Sequence, residues 1–414
     1  MSDITRRTIL MAGAGASAVL TAPGLARDTT GRADIVVVGA GVFGVWTATH
    51  LQRTGRKVTL VDSWGPAHSR ASSGGESRMT RAAYGPDAIY ARMAWESLAE
   101  WKALSAQAEL PVFHQTGVLF FFGQEEPYAT EALEVHRALG LPTERLEPAE
   151  LRRRFPQMAW DGVALGLYEP DFGALMARRA VQVLVAEFVK AGGRYEQAAI
   201  VPPESDGDRL GGIRTSAGES LSAGQYVFAC GPWLPKLFPD LLGRRIFPTR
   251  QEVFFFAPEA GDERFLPAHL PGWADFNQGD IFYGFPDLEG RGFKIAHDAH
   301  GVAVDPDRND RTHTPEALAE VRAYMRRRFP ALAERPLAEA RVCQYENSAN
   351  GDFLIDRHPR WGNVLLVGGG SGHGFKHGPA VGQYAASLLT GTLARPEPRF
   401  SLASKGEKEA RAVH

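Results

Sequence analysis

The sequence predicts an α/β fold in two domains, one organised on a parallel sheet and drawn from separate stretches of the chain, the other rich in strands. Three observations carry this reading. A strand–turn–helix–strand pattern opens at Asp34, a second strand, glycine loop and helix lie near the end of the chain, and strand-like runs broken by glycine and proline fill much of the middle. With 414 residues and 44% hydrophobic content, the chain can bury more than one core. Its formal charge of -2, with Lys and Arg scattered rather than striped, offers no field for a phosphate backbone and argues against nucleic acid as a partner. The two cysteines cannot form a disulfide framework, and Cys230 in "YVFACGPW" reads as a small buried hydrophobe. No group of His, Cys and acidic residues has the spacing of a metal site, and no internal repeat is present.

Residues 1–30 differ in kind. "TRRTIL" precedes an uncharged, Ala/Gly-rich run from Ile9 to Leu20 that is too short to span a bilayer, and Gly24 to Ala26 supply small residues ahead of Arg27. This is the pattern of an export signal. The paired Arg6 and Arg7 resemble the bacterial twin-arginine type, which serves proteins exported already folded. The expectation is a periplasmic or exported protein that uses the twin-arginine machinery and has no stable membrane partner.

The stretch "DIVVVGAGVFGVWTATHLQRTGRKVTLVDSW" reads as a buried strand, a tight turn, a helix, a Thr-Gly stop and a second strand. Gly39 permits the turn, Gly41 lets a pyrophosphate approach the backbone, and Gly44 lets the helix pack closely on the sheet. Asp62 ends the second strand, where an acid meets an adenosine ribose hydroxyl. These four features together predict a Rossmann-like dinucleotide site, without separating NAD from FAD. Helical periodicity returns over about 88–106, 174–191 and 314–328, and "GVLFFFG" reads as a strand. Short strands are expected from "RIFPTRQEVFFFAP" to "IFYGFPDLEGRGFKIAH", and "NVLLVGGGSGHGFKHGPAVGQYAASLL" repeats the strand, glycine loop and helix. The expected division is a nucleotide domain from 31–112, 170–246 and 345–398, a strand-rich domain from 113–169 and 247–344, and a tail from 399–414.

Five motifs, in order, then define a resemblance: "GAGVFG", "SRMTRAAYG", "YGFPDLEGRGFK", "CQYENSANGDFLID" and "GGGSGHGFKHG". The chain after Ala33 resembles the monomeric sarcosine oxidase and N-methyltryptophan oxidase group within the D-amino-acid-oxidase-like superfamily. The resemblance implies a Rossmann-like FAD-binding domain of discontinuous segments beside a strand-rich substrate domain. It implies that Cys343 carries the flavin covalently and that Lys294 lies over the flavin N5 edge, where a fixed ammonium promotes oxygen reduction. It implies that Arg81 and Lys376 grip a substrate carboxylate, Arg by its planar fork and Lys by a compact charge. Arg78 matches the arginine that packs against the flavin ring, and Tyr345 and Tyr283 match aromatic walls of the substrate pocket. Ser72 and Ser73 fall in a loop that approaches the flavin, and Gly370, Gly372, His373 and Gly374 form the last loop, whose backbone N–H groups face the pyrimidine end.

The chain departs from the family at three places. Ser348, Ala349 and Asn350 replace a frequent Thr-Pro-Asp, and Ser73 and Gly74 replace a His-His pair. Asp298 stands where sarcosine-oxidising members have histidine, flanked by His297 and followed by His300. Either the acid faces the substrate and favours a cationic group, or it turns outwards and leaves His297 to serve. The resemblance thus implies oxidation of a small-molecule secondary amine, an N-alkyl or cyclic amino acid, with oxygen as acceptor. A same-fold dehydrogenase, with a periplasmic or membrane acceptor, and a decayed flavin-binding protein are the other readings.

Overall fold

In the computed structural model, residues 33–277, 280–298, 301–393 and 395–408 are described. The export segment expected at 1–30 lies outside the described residues, as does His300.

The first sheet grows from the βαβ unit: β1 (Ala33–Val38), α1 (Val42–Arg53) and β2 (Val58–Asp62). β1 pairs in parallel with β2 on one side and with the strand Ala223–Phe228 on the other. That strand pairs in parallel with Val364–Gly368, and β2 with Arg194–Gln197. An antiparallel edge strand, Leu354–Arg357, completes six. Ile35 to Val38 are at most 5% exposed, because both faces of a parallel sheet are covered, and so β1 reads as an unbroken apolar run. α1 crosses the C-terminal helix Gly378–Thr390 at close range. A methyl group on Gly382 would lie 2.6 Å from the Trp46 backbone, so a larger residue there would force the helices apart.

The second sheet has eight strands in the order Leu337–Ser348, Ile246–Phe256, Phe293–Asp298, Asp280–Phe285, Gly272–Asn277, Val118–Phe122, Leu165–Glu169 and Glu144–Leu146. Its neighbours are antiparallel except Gly272–Asn277 beside Val118–Phe122. The helix Pro315–Arg328 covers one face with Val321, Tyr324 and Met325 against Trp273, Phe254 and Phe293. The short strands expected here are in part long ones. Ile246–Phe256 spans 11 residues and Leu337–Ser348 spans 12, paired along almost their whole length. Pro248 does not break the first, and its carbonyl accepts from Val304 N–H at 2.9 Å.

The helix expected from 174 begins instead at Ala177. Gly173–Met176 is a strand, drawn into a three-stranded sheet between Ser77–Thr80 and Phe113–His114. Tertiary pairing overrides the local periodicity there, and a methyl on Gly173 would meet His114 O at 2.1 Å. Beyond residue 398 the chain remains docked: Arg399 bonds Asp352 and Asp87, and Lys405 Nζ donates to Asn350 Oδ1 at 3.1 Å.

Candidate functional site

At the carboxyl ends of the parallel strands lies a cavity of about 460 Å³, the place where open α/β sheets receive nucleotides. Gly39, with φ +103°, ends β1, and a methyl on it would lie 2.3 Å from Ala229 O. Gly44 is held to glycine by the turn itself, since its methyl would lie 1.8 Å from Gly39 O. Asp62 is fixed by three backbone donors: Ala40 N–H to Oδ2 at 2.8 Å, and Trp64 and Gly65 N–H to Oδ1 at 3.0 Å each. Oδ2, with one donor, keeps a lone pair for a hydroxyl. Ser73 Oγ accepts from Val42 N–H at 3.1 Å and ties its loop to the start of α1. Ser72 Oγ donates to Gln344 O at 2.7 Å. Gly39, Gly41, Asp62, Ser72, Ser73, Arg78, Gly370, Gly372 and Gly374 all line this cavity.

A smaller cavity of about 90 Å³ abuts it, and Arg78, Tyr345 and Gly372 line both. Arg81, Tyr283, Asp298, Cys343, His373 and Lys376 line the smaller one. Arg81 Nη1 donates to Ala83 O, and its guanidinium stacks 4.0 Å from the Tyr84 ring centre. Lys376 Nζ donates to His373 O at 2.8 Å, and burial, then the Arg81 charge, hold this ammonium well below its ordinary pKa. Asp298 acts in the opposite sense, favouring the charged forms of both Lys376 and Arg81. Tyr283 is pushed up to about 12, first by burial and then by Asp298, so its phenol keeps its proton. Arg78 is clamped by Ser72 O at 2.7 Å and Ser77 O at 2.9 Å.

His373 belongs to the smaller cavity rather than to the larger. Its ring bonds Tyr84 OH at 3.1 Å and Gly351 O at 3.1 Å, and stacks on Phe353. His297 and Asp298 are adjacent on one strand and therefore point to opposite faces. Asp298 lines the cavity, whereas His297 stacks on Phe282 at 4.4 Å and pairs with Glu320 at 3.0 Å, so the acid and not His297 faces the cavity. Lys294 lines neither cavity. Buried at 3% exposure, it donates to Ser77 O at 2.9 Å and Ser77 Oγ at 3.1 Å, one residue from Arg78. Burial, then the Arg78 charge, pull it down to about 7.

Two buried acids were not singled out from sequence. Glu169, with no exposed surface, accepts from Ala82 N–H at 3.1 Å and braces the turn that carries Arg81. Glu346 lines the larger cavity, accepts from the Gly369 and Gly370 N–H groups, and is pushed up by burial to about 8. Both occupy strand positions that the pleat turns inwards, and an acid with a neutral residue on either side was the available signal.

A glycine turn at the end of β1, an acid at the end of β2 and a second glycine loop around one cavity, continuous with a small cavity of buried cations, define a dinucleotide-dependent oxidoreductase. The chain belongs to the FAD dependent oxidoreductase family, which it matches over residues 34–388. It is 31% identical to a monomeric sarcosine oxidase of Bacillus sp. (strain B-0618) over 91% of this chain and 97% of that protein. It is 28% identical to an N-methyl-L-tryptophan oxidase of Citrobacter koseri over 89% of this chain and 96% of that protein. Among solved structures, L-proline dehydrogenase from P. horikoshii superposes with a TM-score of 0.78 at 22% identity, covering 90% of this chain and 97% of that one. A modified fructosyl peptide oxidase from Aspergillus nidulans gives 0.80 at 21% identity, over 92% and 96%. The protein is an FAD-dependent oxidoreductase acting on CH–NH groups.

The residues present fit FAD. A methyl on Gly41 would touch only Ser73 Oγ at 3.5 Å, and one on Gly370 would make only ordinary contacts, with Phe43 at 3.7 Å and Gly374 Cα at 3.9 Å. The protein's own packing therefore requires glycine at neither position, and the space both leave opens into the larger cavity, as a cradle for a nucleotide would.

Proposed function

We propose that the protein oxidises a secondary amino acid, N-alkyl or cyclic, to its imine and passes the electrons to oxygen. The observation that carries this reading is the pair Arg81 and Lys376, buried together in a cavity that meets the cofactor cavity at Arg78, Tyr345 and Gly372. FAD would be held by Gly39, Gly41, Asp62, Ser72, Ser73, Arg78, Gly370, Gly372 and Gly374, with Gly44 seating α1. When bound there, it supplies the acceptor for the hydride equivalent that leaves the carbon beside nitrogen. Arg81 and Lys376 fix the substrate carboxylate, and this anion restores the charge that burial removes from Lys376. Asp298 draws the ammonium end inwards, and the aromatic walls of Tyr345 and Tyr283 favour the neutral amine whose lone pair assists oxidation. His373 holds the Lys376 loop through Tyr84 and the Gly351 carbonyl. Water then hydrolyses the imine outside the site. Lys294 is the cation for oxygen reduction to hydrogen peroxide.

Cys343 is our candidate for a thioether to the flavin ring. It lines the cavity that Tyr345 also lines, two residues away on the same face of the strand Leu337–Ser348. Acid precipitation of the yellow protein tests this: colour should stay with the wild-type pellet and leave the Cys343→Ala pellet. We also propose export through the twin-arginine route, on Arg6, Arg7 and the apolar run that follows. An Arg6→Lys, Arg7→Lys double variant should then accumulate in the cytoplasm rather than the periplasm.

The reaction is tested with N-methyl and cyclic amino acids in an oxygen electrode, with peroxide assayed alongside. One peroxide for each amine consumed is expected. Turnover with a dye but without peroxide would identify a dehydrogenase, and flavin that no secondary amine bleaches would end the reading.

A further inference from the structure

Glu346 is a carboxyl in the wall of the cofactor cavity with no counter-charge. It is 7% exposed and lies on the strand Leu337–Ser348 opposite Pro248. Oε1 has no hydrogen-bond partner among the described residues, while the Gly369 and Gly370 N–H groups donate to the carboxyl. Gly368 leaves the room it occupies, since a methyl there would lie 2.3 Å from Oε1. Arg78 and His68, from the loop around Ser72–Gly74 that packs on this strand, line the same cavity, but Arg78 is held by Ser72 O and Ser77 O and neither charge acts on the carboxyl. On the Ala223–Phe228 side the titratable neighbour is Cys230, itself pushed up by burial and by Asp62, and the Leu234–Leu237 helix presents Leu234. Lys236 of that helix is engaged by Asp305 and Asp307, and the loop 368–374 donates to the carboxyl from its backbone, its Ser371 Oγ and His373 ring being bonded to Gly369 O and to Tyr84 and Gly351 O. Arg250 and Glu252, on the partner strand Ile246–Phe256, pair with each other. An ionised carboxylate here would be buried and unpaired in the wall of a cavity that takes an anionic dinucleotide, whereas the neutral acid has a proton to give.

We propose that Glu346 is a cofactor-holding residue that stays protonated and donates its hydrogen bond to an oxygen of the phosphate–ribityl chain of FAD, so that FAD binding is linked to proton uptake. The proposal rests on the FAD reading above and adds to it a specific donor and a pH dependence. The carboxyl already keeps its proton to about pH 8 by burial, and an anionic acceptor holds that proton further. Below that pH the acid is neutral in both free and bound protein and affinity is flat. Above it, binding must recover a proton, and affinity falls by up to about tenfold per pH unit.

The test uses the full chain carrying Cys343→Ala, which keeps FAD exchangeable, with affinity read from flavin fluorescence between pH 6 and pH 10. The parent should lose affinity above about pH 8. Adding Glu346→Gln, which keeps an N–H donor that does not titrate, should give affinity close to the parent's low-pH value and level to pH 10. Adding Glu346→Leu should weaken binding at every pH and also remove the slope. The same slope in the Gln and parent proteins, or a level parent curve, would overturn the proposal while leaving FAD binding intact. Failure of all three proteins to bind FAD at any pH would overturn the FAD reading and this inference with it.

Discussion

The two cavities are built on different principles. The larger is laid out by backbone turns at strand ends, by glycines whose missing side chains leave space, and by an acid locked by three N–H groups, with apolar side chains completing its wall. The smaller is made of side chains, with Arg81, Tyr283, Asp298, Cys343 and Lys376 arriving from five separate elements. Backbone sites tolerate little change but need few residue types. Side-chain sites can be re-specified one residue at a time, and the departure at Asp298 falls there.

The largest expected effect contrasts two glycines of one turn. Gly44→Ala drives a methyl into Gly39 O and should destabilise the fold by about 3 kcal/mol or more, read from chemical denaturation. Gly41→Ala meets nothing closer than 3.5 Å, so it should fold normally and lose FAD affinity instead. Equal loss of stability in both would break the distinction between packing glycines and cofactor glycines.

Lys294→Met should slow the reaction of reduced enzyme with oxygen by about 10²–10³-fold, with a smaller effect on bleaching under argon. The same variant carries a pH signature. The lysine titrates near 7 in the folded chain against an ordinary 10.5, so the unfolded chain binds more protons between those values. Its destabilising burial is therefore felt fully below about pH 7 and fades as pH rises towards 10.5, and the gain in Tm from Lys294→Met should be largest at low pH. A pH-independent Tm difference would contradict the assigned ionisation.

Arg81→Gln should lower kcat/KM by about 10²-fold, mostly through KM, because it removes one partner of a buried charged contact. Amines lacking a carboxylate should be affected far less. Asp298→Asn gives the smallest change and moves two ligands in opposite directions. Simple carboxylate inhibitors should bind about fivefold tighter as the cations lose their offset, and amino-acid substrates should show a higher KM.

The difference between the cavities also explains what the sequence disclosed. β1, Gly39, Gly41, Gly44 and Asp62 are local in the chain, and spacing alone placed them. Nothing local connects Arg81 with Lys376 or Cys343 with Tyr283. Strand pairing and loop packing bring them together, and only the resemblance to a family of known chemistry grouped them beforehand. The same limit hid Glu346: it looked like one polar residue in "CQYENSANGDFLID", and its meaning depends on Gly368 to Gly370 and Leu234 around it. The strand Gly173–Met176 reads as helix from local periodicity for the same reason, since its partners lie at 77–80 and 113–114.

The most direct test of the account is the yellow absorbance of the purified protein mixed under argon with a secondary amino acid and, separately, with the matching amine that lacks the carboxylate. The account predicts that the amino acid bleaches the flavin, and that Arg81→Gln removes most of its advantage over the amine. Bleaching at equal rates by both compounds, unchanged in the variant, would contradict the role given to the buried cations, and a colourless protein would contradict the site as a whole.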